Sequence, residues 1–307
     1  MAIDQTDDGK VILSNSTSAV TILLHGATIL SWTHKGQELL WLSENAILDG
    51  TKAVRGGIPL VFPVFGPAPK GSEFDGLPQH GFARLSEWEF LGQVDDNTIQ
   101  FGLGPENILD ETLKAAADGW SKDFTVILTV ELTDDYLKTG VTVENTEKGE
   151  SAKAWRFNWL FHSYFRVQNV EAIQVRGLQG SKLVEDKVAL AAATDRAATA
   201  AQYPLAATDE AITIHSEVDR VYGSAEQAIS LTTTEGKPLV SIEKENLSDV
   251  VVWNPWTEKA EGLKDFTPKT GFKQMVCIEL GHVADFQTLQ PGEKWNASQK
   301  IFHNIKL

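Results

Sequence analysis

Two residues in this chain are of the types that exchange protons with a bound molecule. His162 lies in Trp155-Arg-Phe-Asn-Trp-Leu-Phe-His-Ser-Tyr-Phe-Arg166, a run dense in aromatic strand formers with no Gly or Pro inside it. Period-two alternation puts Phe157, Trp159, Phe161 and Ser163 on one face and Asn158, Leu160, His162, Tyr164 and Arg166 on the other. An imidazole at the rim of such a surface can have its pKa moved by its neighbours and donate a proton near neutral pH. The run alone equally allows a core histidine satisfied by a backbone carbonyl. Glu279 lies in Gln274-Met-Val-Cys-Ile-Glu-Leu-Gly281, where it shares a face with Met275 and Cys277. A carboxylate beside so apolar a run is costly unless paired, and partial burial would raise its pKa and suit it to general-base work. The alternative is a structural ion pair, for example with Arg166.

A second group of residues is suited to binding an anion and hydroxyl groups. Arg55 opens the rigid stretch Arg55-Gly-Gly-Ile-Pro-Leu-Val-Phe-Pro-Val-Phe-Gly66, and Gln79, His80 and Arg84 share the turn-like Leu77-Pro-Gln-His-Gly-Phe-Ala-Arg84. Arginine offers a planar fork of donors matched to phosphate oxygens, so Arg55 and Arg84 together suit a monoester dianion. Each taken singly also reads as a surface ion pair. Glycine at 56 and 57 would let the backbone approach a ligand closely. The spacing is not that of a nucleotide-binding phosphate loop. His80 reads as a contact or as packing beneath the loop. Asp219, in Ser216-Glu-Val-Asp-Arg-Val-Tyr222, could accept hydroxyl hydrogen bonds, and Trp253 and Trp256 could offer indole faces to a sugar. No histidine pair or Cys/His cluster has zinc-site spacing, so no metal is expected.

These groups must be carried by strands. Short apolar runs separated by turn residues recur along the chain: Val11–Leu13, Ala19–Leu24, Ala27–Trp32, Leu39–Leu42, Thr98–Leu103, Asp123–Leu132, Tyr136–Glu144, Leu239–Glu243, Val250–Trp253 and Trp295–Asn304 among them. No long amphipathic helix competes, and Glu111–Ala117 is the best short helical excursion. The expectation is an all-β protein of two large packed sheets, one domain over residues 1–307. The Ala/Thr-rich segment Leu190–Thr208 has little periodicity and is assigned no function. A net charge of −15 argues against nucleic-acid or anionic-membrane partners, without excluding a small anionic substrate. The single cysteine, Cys277, fits a reducing compartment, and no signal core or membrane span stands out, so a cytoplasmic protein is expected. No motif demands a subunit contact, and a monomer is expected.

Five motifs in order, Arg55–Gly66, Leu77–Arg84, Phe157–Phe165, Val251–Trp256 and Cys277-Ile-Glu-Leu-Gly-His282, resemble those of the hexose-6-phosphate mutarotases, the glucose-6-phosphate 1-epimerases of the aldose 1-epimerase family. The resemblance runs from about Val20 to Trp295. It implies a galactose-mutarotase-like β-sandwich (supersandwich) and interconversion of the α and β anomers of glucose 6-phosphate with no cofactor. On that resemblance His162 is the acid and Glu279 the base, Arg55 and Arg84 hold the phosphate, and Gln79, His80 and Asp219 contact the sugar, the Asp219 match resting on the shortest stretch. Leu280 departs from a pattern that often has proline there, and loops around Gly66–Gly76 and the Ala/Thr-rich segment fall in variable regions. Alternatives are an epimerase of unphosphorylated aldoses, a non-catalytic sugar-phosphate-binding protein and, more weakly, a glycoside hydrolase, which normally needs two facing carboxylates.

Overall fold

Alternation of side chains drives the architecture. Along Phe124–Leu132 and Tyr136–Asn145 every second residue is buried, as in strands with one face on a core and one facing solvent. In the computed structural model, which describes residues 1–225 and 228–304, such strands form three sheets whose strand pairings are antiparallel. Five N-terminal strands, from Ala2–Gln5 to Gln37–Glu38, make a meander. Nine strands make the largest sheet, with Lys294–His303 and Tyr136–Asn145 near its middle. The eight-stranded sheet has Val218–Gly223, Asp249–Asn254, Met275–Leu289 and Trp155–Phe161 side by side, and Tyr164–Arg166 pairs off the main path with Met275–Leu289.

One continuous apolar core draws on all three sheets: Val20 and Trp32 from the meander, Val126 and Leu128 from the nine-stranded sheet, Phe157, Trp159, Ile278 and Leu280 from the eight-stranded one. The all-β expectation holds. The two large sheets are there, of nine and eight strands, and a smaller third joins them because the N-terminal runs pair among themselves. Leu39–Leu42 is not a strand; Leu40 and Leu42 make single bridges to Phe165 and Gly56. The helix Glu111–Trp120 forms where its helix formers cluster, with the Asp110 carboxylate accepting from the Leu113 amide and Trp120 buried. The Ala/Thr-rich region is also structured: helices Lys187–Ala192 and Arg196–Ala200 precede the short strand Leu205–Ala206.

The aromatic run does not stay in one strand. It leaves the ladder at His162 and Ser163 and resumes at Tyr164, because the His162 amide donates to the Pro59 carbonyl and the Tyr164 amide to the Gly57 carbonyl. Alternation survives the break: Phe161 and Phe165 face the main core, while His162 and Tyr164 stack on the other side. The glycines beside Arg55 let backbone approach backbone, not a ligand. Gly57 has φ +68, and a Cβ there would lie 2.0 Å from the Ile29 carbonyl oxygen. Gly57→Ala is therefore expected to cost roughly 3 kcal/mol of stability, read as a lower urea midpoint; an unchanged midpoint would refute this close-packing account.

Candidate active site

The candidate residues meet on one face of the eight-stranded sheet because of strand register. Asp219 pairs with Trp253, Trp253 with Cys277, and Cys277 with Tyr164. Residues two positions along the same strands share that face, giving Val221, Val251 and Glu279 as the next row. His162, two residues before Tyr164, arrives opposite Glu279. Their side chains lie 3.4 Å apart, His162 Nδ1 to Glu279 Oε1, a contact without hydrogen-bond geometry while the imidazole is neutral. Glu279 is 2% exposed and His162 9%. The imidazole is held flat on Tyr164, with ring centroids 4.8 Å apart, and edge-on to Trp253 at 6.0 Å. Arg166 is not the partner of Glu279; it donates to the Leu40 carbonyl. Leu280, at the position often occupied by proline, pairs with Phe161 and Val250 in the ladder, and the strand runs on to Leu289.

Burial pushes both groups of this pair toward their neutral forms. His162 is held well below its ordinary value by burial first, then by Arg84 and Arg55. Glu279 is held well above its ordinary value by burial first and Asp219 second, against the opposing pull of Lys187 and Arg84. Burial thus favours the neutral imidazole and the protonated carboxyl over their charged forms.

Both arginines reach the cleft. Arg55 donates from Nε to Asp265 and from Nη1 to the Tyr164 hydroxyl, each at 3.3 Å. Arg84 donates from Nη2 to the Gln79 carbonyl at 2.7 Å, while its Nε is buried without a partner. Among the described residues no carboxylate lies within ion-pair distance of Arg84. Burial brings its guanidinium down to about 10, and neighbouring Arg55 adds to the drop. The turn before it is fixed by backbone. His80 has φ +69, its amide donates to the Gly66 carbonyl, and its Nδ1 accepts from the Gly66 amide at 3.2 Å. Its remaining ring nitrogen faces the Gln79 side-chain amide at 3.2 Å. Burial, then Arg84, keeps His80 well below its ordinary value and hence neutral.

The cleft has a volume of about 260 Å³ and is lined by all seven residues anticipated from the sequence. Two lysines that sequence reasoning missed also line it. Lys187 Nζ lies 3.5 Å from Asp219 Oδ1 and over the Phe65 ring, and Lys259 Nζ lies 3.6 Å from Asp219 Oδ2. Neither lies in an aromatic or glycine-rich motif; only tertiary structure brings them in. Trp253 lines the cleft, whereas Trp256 packs against Phe272. Cys277 joins His162 and Glu279 in a group whose ligating atoms lie within 4.8 Å of one another, which sequence spacing did not reveal. Burial, then Glu279, keeps the Cys277 thiol protonated, and three cations act on His162, so this donor set is a poor fit for a resident metal.

Comparison with known proteins agrees with this geometry. A protein of Cenchrus ciliaris named "Putative glucose-6-phosphate 1-epimerase" is 32% identical over 296 residues, covering 93% of this chain and 82% of its own. The crystal structure of a "putative mutarotase (YeaD)" from Salmonella typhimurium is similar with a TM-score of 0.78 and 26% identity, over 98% of this chain and 92% of that one. The structure of a galactose mutarotase related enzyme from Lactobacillus acidophilus shares the fold, with a TM-score of 0.69 at 20% identity over 96% of this chain and 97% of that one. The sandwich is thus galactose-mutarotase-like. The sequence matches the aldose 1-epimerase family across residues 9–301, and the chain belongs to that family of sugar isomerases.

Proposed function

We propose that the protein interconverts the α and β anomers of hexose 6-phosphates, chiefly glucose 6-phosphate. The observation that carries the phosphate specificity is Arg84, a half-buried guanidinium whose Nε is buried without a partner and which has no carboxylate within ion-pair distance among the described residues, beside Arg55 in the cleft that holds His162 and Glu279. A buried cation left without a counter-ion is costly, and a phosphate dianion supplies one with the geometry a guanidinium fork prefers. The names of relatives such as the Cenchrus protein support the same reading.

In this mechanism Glu279, as carboxylate, takes the proton of the C1 hydroxyl while His162, as imidazolium, protonates the ring oxygen. The ring opens, the aldehyde turns about C1–C2, and reclosure with the proton roles reversed gives the other anomer. Asp219, Gln79 and His80 contact the sugar hydroxyls. No step calls for a metal, nucleotide or redox group. Substrate itself brings the pair to its reactive charge state. Arg84 and Arg55 are, after burial, the main influences holding His162 neutral. A phosphate bound to them weakens that field and raises the imidazole pKa, which favours the imidazolium.

Two sets of variants test this. His162→Ala and Glu279→Ala are each expected to lower kcat for glucose 6-phosphate anomerisation by about two to four orders of magnitude, followed by exchange NMR or a coupled β-specific dehydrogenase. Retained activity in either removes that residue's role. Arg55→Ala and Arg84→Ala are expected to raise KM for glucose 6-phosphate roughly 10- to 100-fold while leaving the KM of free glucose nearly unchanged. Equal effects on both sugars, or acceleration of glucose and galactose alone by the native protein, would overturn phosphate recognition. Binding of glucose 6-phosphate with no turnover would instead identify a sugar-phosphate-binding protein.

A further inference from the structure

Asp219 stands on the same face as Glu279, and each of its carboxylate oxygens is met by a lysine from outside the sheet. Lys187 reaches Oδ1 at 3.5 Å and Lys259 reaches Oδ2 at 3.6 Å. Both lysines are positioned by specific contacts. The Asp186 carboxylate accepts from the Ala189 amide at 3.0 Å, starting the helix Lys187–Ala192, and from Arg220 Nε at 2.8 Å, tying that start to the Asp219 strand. Asp186 pairs with Arg220 in the ladder, so the next residue, Lys187, falls opposite Asp219. Its ammonium also rests on Phe65, 4.4 Å from the ring centroid. Lys259 comes from the helix Trp256–Gly262 and is shared with Glu217 at 3.0 Å.

We propose that Lys187 and Lys259 are positioning residues for the anomerisation: they neutralise Asp219 on the face it shares with Glu279, so that the ionised form of Glu279 is available to the sugar. This rests on the assignment of Glu279 as the base. The geometry requires some such device. A hydroxyl-binding aspartate and a catalytic carboxylate on one buried face repel each other, and neither can then stay charged at low cost. The other groups facing Glu279 do not supply it. His162 is held neutral, Cys277 stays a thiol, His80 is neutral, Arg55 is engaged with Asp265, and Arg84 is the proposed phosphate ligand. Burial of Glu279 and the charge of Asp219 raise the pKa of Glu279, and Lys187, ahead of Arg84, opposes them. The device also gives a role to the start of the excursion that carries the Ala/Thr-rich segment, since that excursion delivers Lys187.

The test is the pH profile of kcat/KM for glucose 6-phosphate, corrected for spontaneous anomerisation. Every variant is compared with wild type on the same substrate, so the phosphate's own titration cancels. Removing the Lys187 cation leaves Asp219 with Lys259 alone, so Glu279 keeps its proton to higher pH and the limb of the profile that Glu279 governs rises. Lys187→Met is expected to move that limb up by roughly one pH unit. Lys259→Met should move it less, because Lys259 is shared with Glu217. Lys187→Arg should keep the native limb, and Lys187→Met combined with Asp219→Asn should bring it back toward the native position even if KM stays high. An unshifted limb in Lys187→Met, in an enzyme that Glu279→Gln inactivates, overturns the proposal and leaves the base assignment standing. A Lys187→Met enzyme changed only in KM likewise reduces Lys187 to a substrate contact. Activity retained in Glu279→Gln overturns the base assignment and this proposal with it.

Discussion

Everything in the cleft depends on a buried contact between an acid and a base that neither can afford to charge alone. His162 and Glu279 sit 3.4 Å apart, almost wholly out of water. Desolvation penalises the imidazolium and the carboxylate alike, and it is the leading cause of both displaced pKa values. The surrounding charges act unequally on the two. Arg84, Arg55 and Lys187 oppose a charged histidine, whereas Lys187 and Arg84 favour a charged glutamate and Asp219 opposes it. The resting pair is therefore held toward its neutral forms. An anion that settles on the guanidinium groups weakens their opposition to a charged histidine. Such a site can exchange a proton with a sugar in either direction, as interconversion of two anomers of similar energy requires.

A sheet is a good support for such a pair because its geometry is discrete. Neighbouring strands lie about 4.8 Å apart and side chains alternate with a period of two, so a slip of one residue exchanges every face. Shifting the Glu279 strand by one position would bring Ile278 or Leu280 into the cleft and drive the carboxylate into the core those residues now fill. Register is anchored by hydrogen bonds to the backbone at the start of that strand. The Asn254 amide donates to the Phe272 and Met275 carbonyls at 2.8 and 2.9 Å, and the Ser163 carbonyl accepts from the Ile278 amide. The break at His162 serves the same end. By handing its amide to Pro59, the chain brings the histidine alongside Glu279 and the segment containing Arg55 beside both.

The sequence made the faces legible but not their meeting. Alternation alone put Cys277 with Glu279 and His162 with Tyr164, and the structure keeps both pairs. It could not show which strand lies beside which, because register depends on contacts between residues far apart in the chain, such as Asp219 with Trp253 and Tyr164 with Cys277. The extra N-terminal sheet escaped for a related reason: short apolar runs look alike whichever neighbour they pair with. Arg55, Gln79, His80 and Arg84 were readable because they lie in rigid Gly/Pro-containing motifs whose backbone is itself distinctive. Lys187 and Lys259 were not, since a lysine in an unremarkable helix start carries no local mark of what its long side chain reaches. The Ala/Thr-rich segment misled in the same way, since its low complexity hid that the excursion containing it begins with a residue of the cleft.

The charge distribution carries one further consequence. The chain bears a net −15, yet the cleft gathers Arg55, Arg84, Lys187 and Lys259 against Asp219 and Glu279. At physiological ionic strength charges beyond about 8 Å are largely screened, so an arriving anion responds to the cleft and much less to the distant surface. The lysines are committed to Asp219, and Arg55 to Asp265, which leaves Arg84 as the cation with an unmet need. A site built this way discriminates chiefly by what the wrong ligand leaves unsatisfied. On the proposed reading a free hexose can fill the space and meet the hydroxyl contacts, but it leaves the Arg84 Nε and its charge without a partner. A missing partner for a buried polar or charged group discriminates far more strongly than a change of size or shape does. The proposed preference for a phosphorylated sugar then rests on Arg84 itself, without a steric barrier against the free one.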